Sequence, residues 1–171
     1  TCPTMLRHCL LLLVVLHLGW PATAQEPQPG QGSRRAVLVT GASSGIGRKT
    51  TELLAANGFF VYACARKDKD LQDLAAIANV QAIRLDVSKP AEIDAAVKTV
   101  REAGRGLHGL VNNAGVAVLA PLIEMREEDL AFQLEVTVFG PFRVTKAFAP
   151  LLIDSKGRIA TTGSISGIVT W

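Results

Sequence analysis

A glycine-rich turn between an apolar strand and a helix is the feature that most restricts how this chain can fold. Residues 40–47 read T-G-A-S-S-G-I-G, and they directly follow the apolar run Ala36–Val39. In a turn of this kind Gly41 allows the bend, Gly45 lets a pyrophosphate approach the backbone, and Gly47 lets the new helix pack close to the strand. The unpaired N–H groups at the start of that helix attract an anion. The motif therefore predicts a dinucleotide-phosphate site, with a plain strand-to-helix connection as the alternative.

The rest of the chain alternates between strand-like and helix-like segments. The predicted strands are Ala36–Thr40, Phe59–Ala65, Ala82–Asp86, Gly109–Asn113 and Arg158–Thr162. The predicted helices are Ile46–Asn57, Lys69–Ala78, Ala91–Ala103 and Glu127–Ala149. Gly140-Pro141 should kink the last of these. Repeated βα units predict an α/β fold, namely a Rossmann-type, doubly wound parallel sheet in three layers that binds its ligand at the carboxyl ends of the strands.

Length and composition indicate one globular domain. The chain has 171 residues, 49% of them apolar, and a net charge of only +3. Its basic residues are scattered among acidic ones, and no basic run is interleaved with aromatic residues, which argues against a nucleic-acid partner. The three cysteines lack the paired spacing of a metal site, and Cys64 is expected as a small buried apolar residue.

The first residues are typical of a targeting segment. Met5–His8 is a short basic start, Leu10–Leu18 is apolar apart from one histidine, and Ala22-Thr23-Ala24 offers small residues for cleavage. This pattern predicts a secretory signal peptide over residues 1–24 and a flexible linker over residues 25–35. The apolar run is shorter than the ~20 residues that span a bilayer, so contact with a membrane requires an uncleaved anchor. The other alternative is a cytoplasmic protein with a misassigned start.

Three further motifs follow the glycine turn in order. Asp86-Val87 ends the third predicted strand, Asn112-Asn113-Ala114-Gly115 follows the fourth, and Ser164 follows the fifth. With the spacing T-G-x-x-x-G-x-G, this series resembles the short-chain dehydrogenase/reductase family from about Arg34 to Trp171. The extended, epimerase-like branch has T-G-x-x-G-x-x-G instead, which makes a sugar-nucleotide epimerase the less favoured interpretation.

The resemblance implies an oxidoreductase that transfers a hydride between a nicotinamide cofactor and a carbonyl or secondary alcohol. It implies cofactor contacts at Gly41, Ser43, Ser44, Gly45, Ile46, Gly47, Arg66, Asp86, Val87, Asn113, Ala114 and Gly115. Asp86 would accept a hydrogen bond from the adenine amino group and Val87 would line the adenine, whereas the alternative for Asp86 is a cap for the next helix. Asn113 would contact the ribose, unless this stretch is only a turn. Asn112 would stabilise the central sheet.

Ser164 is implied as the residue that hydrogen-bonds the substrate oxygen. Residues 163–167 read G-S-I-S-G and match the family's S-x-x-G, which favours Ser164 over Ser166. A serine that only solvates a loop is the alternative. The implied partner is a small-molecule carbonyl or alcohol, and a homo-oligomer of the full-length protein stays open.

The end of the second strand bears on the choice between NAD(H) and NADP(H). Many dinucleotide-binding folds place a carboxylate there, which accepts hydrogen bonds from the ribose 2′-hydroxyl of NAD. Here the position is Ala65, followed by Arg66 and Lys67. Because a guanidinium can pair with a 2′-phosphate through charge-assisted hydrogen bonds, NADP(H) is favoured. The alternative for Arg66 is a solvated surface charge.

Two features depart from the family pattern. Thr137 stands where the family has an Asn of the proton relay, and its hydroxyl could hold a water or bond a carbonyl of its own helix. The family's Tyr-x-x-x-Lys pair would begin beyond Trp171, and the one tyrosine, Tyr62, lies on the second predicted strand. The sequence therefore predicts an inactive fragment of an oxidoreductase, with a non-catalytic nucleotide-binding scaffold as the alternative.

Overall fold

The computed structural model describes residues 34–164, which form a parallel sheet with helices on both faces. The strands are β1 (Ala36–Val39), β2 (Phe60–Ala65), β3 (Val80–Arg84), β4 (Gly109–Asn112) and β5 (Arg158–Thr161). They lie in the order β3-β2-β1-β4-β5, and every pairing is parallel. The order reverses at β1, and ligands of such sheets bind at the carboxyl ends of the strands beside this switch point.

Five α-helices connect the strands within the same residues. They are α1 (Gly45–Ala56), α2 (Asp68–Ala75), α3 (Pro90–Glu102), α4 (Glu127–Leu134) and α5 (Gly140–Asp154). Successive residues of a strand point to opposite faces of the sheet. Ala36 and Leu38 accordingly belong to the apolar cluster under α3 and α5, whereas Val37 and Val39 belong to the one under α1 and α2. The predicted doubly wound, three-layer Rossmann-type fold is confirmed.

Some element ends differ from the sequence prediction. β3 covers Val80–Arg84 rather than residues 82–86, because the chain leaves the sheet before Asp86, whose side chain forms a turn with Ser88. α2 ends at Ala75 rather than at residue 78. The cause is the approach to β3, where Asn79 adopts a φ of 65° and turns the chain into the strand.

The last helix extends further than predicted. α5 continues through Pro150 to Asp154, although a proline lacks the N–H that the helix interior needs. Val144, Phe148 and Leu152 lie on its buried face against the sheet. Burial of Leu152 after the proline stabilises the final turn.

α4 and α5 are joined by a π-helical turn, Glu135–Phe139, so that the helix runs without interruption from residue 127 to residue 154. In an α-helix residues i and i+7 share a face, and a π turn accommodates one more residue. Glu135 and Arg143, eight residues apart, therefore meet across the turn, and their closer atoms lie 2.5 Å apart. By length and composition this helix could cross a membrane, the one such helix in the described part of the chain. Its buried face is also what a helix covering a sheet requires.

The sequence predicts a kink at Gly140-Pro141. The irregular part of the helix is instead the π-helical turn, which ends directly before these residues. Pro141 comes two residues after the π-helical turn, in which the hydrogen-bond spacing already departs from that of an α-helix. Gly140 serves packing instead, because a Cβ there would lie 2.6 Å from Val87 Cγ2. The glycine therefore brings the helix close to the chain that follows β3.

The predicted leader, residues 1–24, and residues 25–33 of the predicted linker lie outside the described residues. The same holds for residues 165–171, which include the remainder of the S-x-x-G motif.

Candidate functional site

A cleft of about 500 Å³ opens at the carboxyl ends of the strands. Each of the five strands contributes a wall residue at or just past that end, namely Gly41, Ala65, Leu85, Asn113 and Thr162. All the predicted cofactor-binding residues line the cleft except two glycines of the turn, at positions 45 and 47. The structure thus brings together motifs that are far apart in the sequence.

Glycine occupies the three glycine positions of the turn for different structural reasons. Gly41 has a φ of 63°, and a Cβ there would lie 2.8 Å from Ala114 Cα. Gly47 is buried, and its Cβ would lie 2.2 Å from the Gly41 carbonyl oxygen, so only glycine lets α1 start so close to the strand. Gly45 has a φ of 52° and no atom within 4 Å of a built Cβ. The backbone at Gly45 is therefore open to a ligand.

The start of α1 can receive an anion. Ser44 is the N-cap residue, and its side chain makes no capping hydrogen bond. The Ser44 carbonyl oxygen accepts the first hydrogen bond of the helix, from Arg48 N at 3.1 Å. The N–H groups of the first turn thus receive no hydroxyl acceptor from Ser44, and they carry the positive end of the helix dipole.

Thr40 organises the floor of the cleft, a role that the sequence analysis missed. Its side chain is buried, and its Oγ1 accepts hydrogen bonds from Asn113 N at 2.9 Å and from Ala114 N at 3.0 Å. The same hydroxyl donates to the Val111 carbonyl oxygen at 3.3 Å. Thr40 therefore joins the end of β1 to the end of β4. The available signal was its position as the first residue of the T-G motif.

Asn113 supports the glycine turn from the other side. Its Nδ2 donates to the carbonyl oxygens of Thr40 and Gly41, both at 3.1 Å. Its Oδ1 accepts a hydrogen bond from Thr162 Oγ1 at 3.2 Å, which connects it to the end of β5. The neighbouring Asn112 is buried, and its Nδ2 donates to Thr145 Oγ1 of α5 at 3.0 Å. Asn112 thereby links the sheet to its covering helix, in agreement with the predicted structural role.

Asp86 lies in the wall of the cleft and also orders the chain before α3. Its Oδ1 accepts hydrogen bonds from Ser88 N at 3.0 Å and from Ser88 Oγ at 2.7 Å. Burial by itself raises the pKa of this carboxyl group, but the hydrogen bonds from Ser88 and the charges of Arg66 and Lys89 outweigh it and lower the pKa. Asp86 is therefore a carboxylate at neutral pH. The N-cap of α3 is Lys89, three residues after Asp86.

Charged side chains of both signs surround the end of the cleft beside β2. Arg66, Lys67, Asp70 and Asp86 all line it. Arg66 NH1 lies 4.0 Å from Asp86 Oδ2, at the outer limit of an ion pair, and 59% of the Arg66 side chain is exposed. The guanidinium therefore remains accessible to a ligand.

Apolar side chains also line the cleft. Val87 is buried against Gly140, and Val136 of the π-helical turn is a further lining residue. Cys64 is fully buried in the cleft wall, as predicted, and burial raises the pKa of its thiol. Thr137, which follows Val136, donates its hydroxyl to the Gln133 carbonyl oxygen at 2.5 Å. This is the hydrogen bond to its own helix that the sequence analysis considered.

Ser164 is not among the residues that line the cleft. It is exposed and lies three residues past the end of β5. Thr162 lines the cleft at this edge, a contribution that the sequence analysis did not foresee. Residues 34–164 contain no group of three or more His, Cys, Asp or Glu side chains that could hold a metal ion.

The family model described as short chain dehydrogenase matches residues 35–171 of this chain. The chain belongs to the short-chain dehydrogenase family. This result confirms the resemblance that the motifs from residue 40 to residue 164 indicate. Residues of three of these motifs, namely the glycine turn, Asp86-Val87 and Asn113-Ala114-Gly115, line the cleft, whereas Ser164 does not.

Individual relatives agree with the family assignment. The chain is 37% identical over 139 residues to a 3-amino-tetrahydro-pyrrolizinone reductase from Xenorhabdus hominickii, which covers 80% of this chain and 48% of the relative. It is 35% identical over 144 residues to the NADPH-dependent 1-acyldihydroxyacetone phosphate reductase of Saccharomyces cerevisiae, with 81% and 48% covered. The chain thus spans about half the length of the curated relatives it matches.

A solved structure has the same fold. A variant actinorhodin polyketide ketoreductase, crystallised with NADPH, aligns with a TM-score of 0.76 at 31% identity. The alignment covers 81% of this chain and 56% of the ketoreductase. The short-chain dehydrogenase fold therefore extends over the described strands and helices.

Proposed function

We propose that the protein is an oxidoreductase that uses NADP(H) to interconvert a carbonyl compound and a secondary alcohol. The observation that carries the proposal is the cleft itself, which lies at the carboxyl ends of the strands and is lined by residues of the glycine turn and by an accessible Arg66. Family membership supports the class of reaction. When bound, NADP(H) would supply or accept the hydride.

The cleft suits a dinucleotide. Gly45 and the first turn of α1 would bind the pyrophosphate, because a Cβ built at Gly45 meets no atom within 4 Å and the Ser44 side chain does not cap the N–H groups of the first turn. Asp86 is ionised and would accept a hydrogen bond from the adenine amino group. Val87 would form the apolar wall beside the adenine, and Asn113, which supports the glycine turn, would contact the ribose. The site residues predicted from the sequence keep these roles as proposals.

The cofactor preference rests on Arg66. Ala65 cannot accept a hydrogen bond from a ribose 2′-hydroxyl through its side chain, whereas the Arg66 guanidinium can pair with a 2′-phosphate. Asp86 competes only weakly for Arg66 at a separation of 4.0 Å. The name of the yeast relative and the ligand of the ketoreductase structure both include NADPH, which is consistent with this preference.

On the substrate side we assign the orientation of the reacting oxygen to Ser164. Its place after β5 puts it at the same edge of the sheet as the cofactor residues. Tyr62 is excluded as the proton donor because it is fully buried in the core, where burial raises the pKa of its hydroxyl. The substrate is proposed to be a small molecule.

The test is a titration of the full-length protein with NADPH and NADH, followed by cofactor fluorescence, and an oxidation assay with a panel of small carbonyl compounds. We expect NADPH to bind more tightly than NADH. We also expect that at least one carbonyl compound oxidises NADPH at a measurable rate in the presence of the protein. Equal affinities for NADPH and NADH would contradict the proposed cofactor preference. NADPH binding without oxidation of the cofactor by any compound would contradict the proposed enzymatic activity.

One observation favours a second candidate, a nucleotide-binding scaffold without catalysis. Thr137 donates its hydroxyl to its own helix and so offers no second donor to a proton relay. The Thr137→Asn variant separates the candidates. In an enzyme that depends on this position it should raise turnover, whereas in a scaffold protein it should change neither turnover nor NADPH affinity.

A further inference from the structure

Arg84 lies beside the chain segment that presents Arg66, although the sequence places it eighteen residues later. It is the last residue of β3, and the sheet register pairs it with Ala65, the last residue of β2. Leu85 N donates to the Ala65 carbonyl oxygen at 3.0 Å, which extends this pairing past the end of β3. The register thus directs a long cationic side chain to the turn between β2 and α2.

The Arg84 guanidinium bridges that turn. Its NH1 donates to the Arg66 carbonyl oxygen, and its NH2 donates to the Asp68 carboxylate at the start of α2. Lys67 lies between these two anchors as the N-cap of the helix, and its own side chain makes no capping hydrogen bond. One planar donor group therefore holds the backbone carbonyl before Lys67 and the Asp68 side chain after it.

We propose that Arg84 is a positioning residue that holds Arg66 in place for the 2′-phosphate of NADP(H); this inference rests on the cofactor preference proposed above. The Arg66 side chain is long and more than half exposed, so ordering it on a ligand costs conformational entropy. A fixed backbone at Arg66 lowers that cost because fewer torsions remain to be ordered. No contact of Arg84 with the cofactor is required.

Arg84 has a second effect on the same site. Asp68 is mostly exposed and close to the proposed phosphate position in sequence, and an unpaired carboxylate there would repel a phosphate. Pairing with Arg84 offsets the negative charge of Asp68. A lysine at position 84 would keep this charge effect but could not donate to both anchors through one planar fork. The positioning role and the charge effect can therefore be separated by substitution.

The experiment measures binding of 2′,5′-ADP and 5′-AMP to the full-length protein by calorimetry. These ligands differ only in the 2′-phosphate, so the ratio of their affinities isolates its recognition. The variants are Arg84→Met, Arg84→Lys and Arg66→Ala. Arg101→Met, which removes an exposed arginine in the last turn of α3, is the matched control. Thermal unfolding of each variant verifies that it is folded, and the lysine variant keeps the test valid where the methionine variant does not fold.

The expected result is that both Arg84 variants lower the affinity ratio by about three- to tenfold, the range expected when one side chain must be ordered without support. Arg66→Ala should lower it further, and Arg101→Met should leave it unchanged. A ratio in Arg84→Lys equal to that of the wild type would overturn the positioning role in favour of charge alone. Equal losses for both ligands would make Arg84 a general support of the fold and would also overturn the inference.

Failure of the inference is distinct from failure of the cofactor preference. If the wild-type protein binds 2′,5′-ADP no better than 5′-AMP, the preference itself is wrong and the inference falls with it. If the wild type discriminates and both Arg84 variants discriminate equally well, only the role of Arg84 is wrong.

Discussion

Thr40 Oγ1 lies 2.9 Å from Asn113 N, and this hydrogen bond joins the ends of β1 and β4 directly beneath the cleft. β1 and β4 are the strands between which the sheet order reverses. The glycine turn and the N-N-A-G segment are therefore one structural unit, although seventy-three residues separate these two positions.

Replacement of Thr40 by valine tests this unit. Valine has the same shape as threonine but no hydroxyl, so the backbone N–H groups of Asn113 and Ala114 lose their acceptor. We expect the free energy of unfolding to fall by about 1–3 kcal/mol, the cost of leaving buried donors unpaired. Denaturant unfolding of Thr40→Val and of the control Thr40→Ser, which keeps the hydroxyl, measures the effect. A serine variant as unstable as the valine variant would mean that packing of the methyl group, and not the hydroxyl, matters here.

Gly45 and Gly58 form a matched pair for testing the proposed pyrophosphate contact at the glycine turn. Both have a positive φ, 52° and 85°, and a built Cβ at either position meets no atom within 4 Å. Alanine should therefore destabilise the fold by a similar amount at each, about 1–2 kcal/mol. Only Gly45→Ala should weaken NADPH binding, by about tenfold or more, because its methyl group projects from the backbone proposed to contact the pyrophosphate. Similar NADPH affinities of the two variants would contradict the proposed contact between the Gly45 backbone and the pyrophosphate.

The sequence predicted the elements well because their signals are local. Short apolar runs and turn residues placed each strand and helix, and the series of motifs placed the site at the carboxyl ends of the strands. Two interactions were missed because they depend on the sheet register. Nothing near Arg84 indicates that pairing with Ala65 brings it to the β2–α2 turn. Likewise, Thr162 reaches Asn113 only because β4 and β5 are neighbours.

Pro150 shows where local rules give a wrong boundary. Proline indicates the end of a helix because it cannot donate the hydrogen bond of the helix interior. α5 nevertheless continues because Leu152, two residues later, is buried in the core. Tertiary burial outweighs one lost hydrogen bond, and a sequence rule based on the backbone alone cannot weigh the two.

Arg66→Ala should remove the proposed preference for NADPH. Loss of a charge-assisted pair with the 2′-phosphate should lower NADPH affinity by about 1.5–3 kcal/mol. NADH affinity should change little, because NADH carries no phosphate at this position. Fluorescence titration with each cofactor measures the difference. Unchanged NADPH binding would mean that Arg66 is only a solvated surface charge.

The leader can be tested without reference to the site. Expressed from Met5 in a secreting host, the product should begin at Gln25, because the basic start, the apolar run and Ala22-Thr23-Ala24 together match the pattern of a signal peptide. Mass spectrometry of the exported product measures its first residue. An exported product that retains residues 10–18 would indicate an anchor, and an intact product in the cytosol would indicate a misassigned start.

The turn formed by Asp86 and Ser88 should make stability depend on pH in a specific window. The folded state lowers the pKa of Asp86 below its ordinary value of 3.8, chiefly because the hydrogen bonds from Ser88 oppose the effect of burial. The stabilisation is therefore complete above the unfolded pKa and is lost as the pH falls through the folded pKa. Ser88→Ala removes the hydroxyl donor at 2.7 Å from the carboxylate.

At neutral pH we expect Ser88→Ala to lower the free energy of unfolding by about 1–2 kcal/mol, as for a hydrogen bond to a charged group. This deficit should shrink as the pH falls below 3.8, because a protonated Asp86 no longer favours the donor in the folded state. Ser155→Ala is the control, since the Ser155 hydroxyl accepts from Leu107 N and faces no carboxylate in that bond. Its deficit should stay constant with pH. Denaturant unfolding of the wild type and the two variants between pH 2 and pH 7 gives the deficit of each variant as a function of pH. If the deficit of Ser88→Ala stays as constant as that of Ser155→Ala, Ser88 does not stabilise the charged form of Asp86.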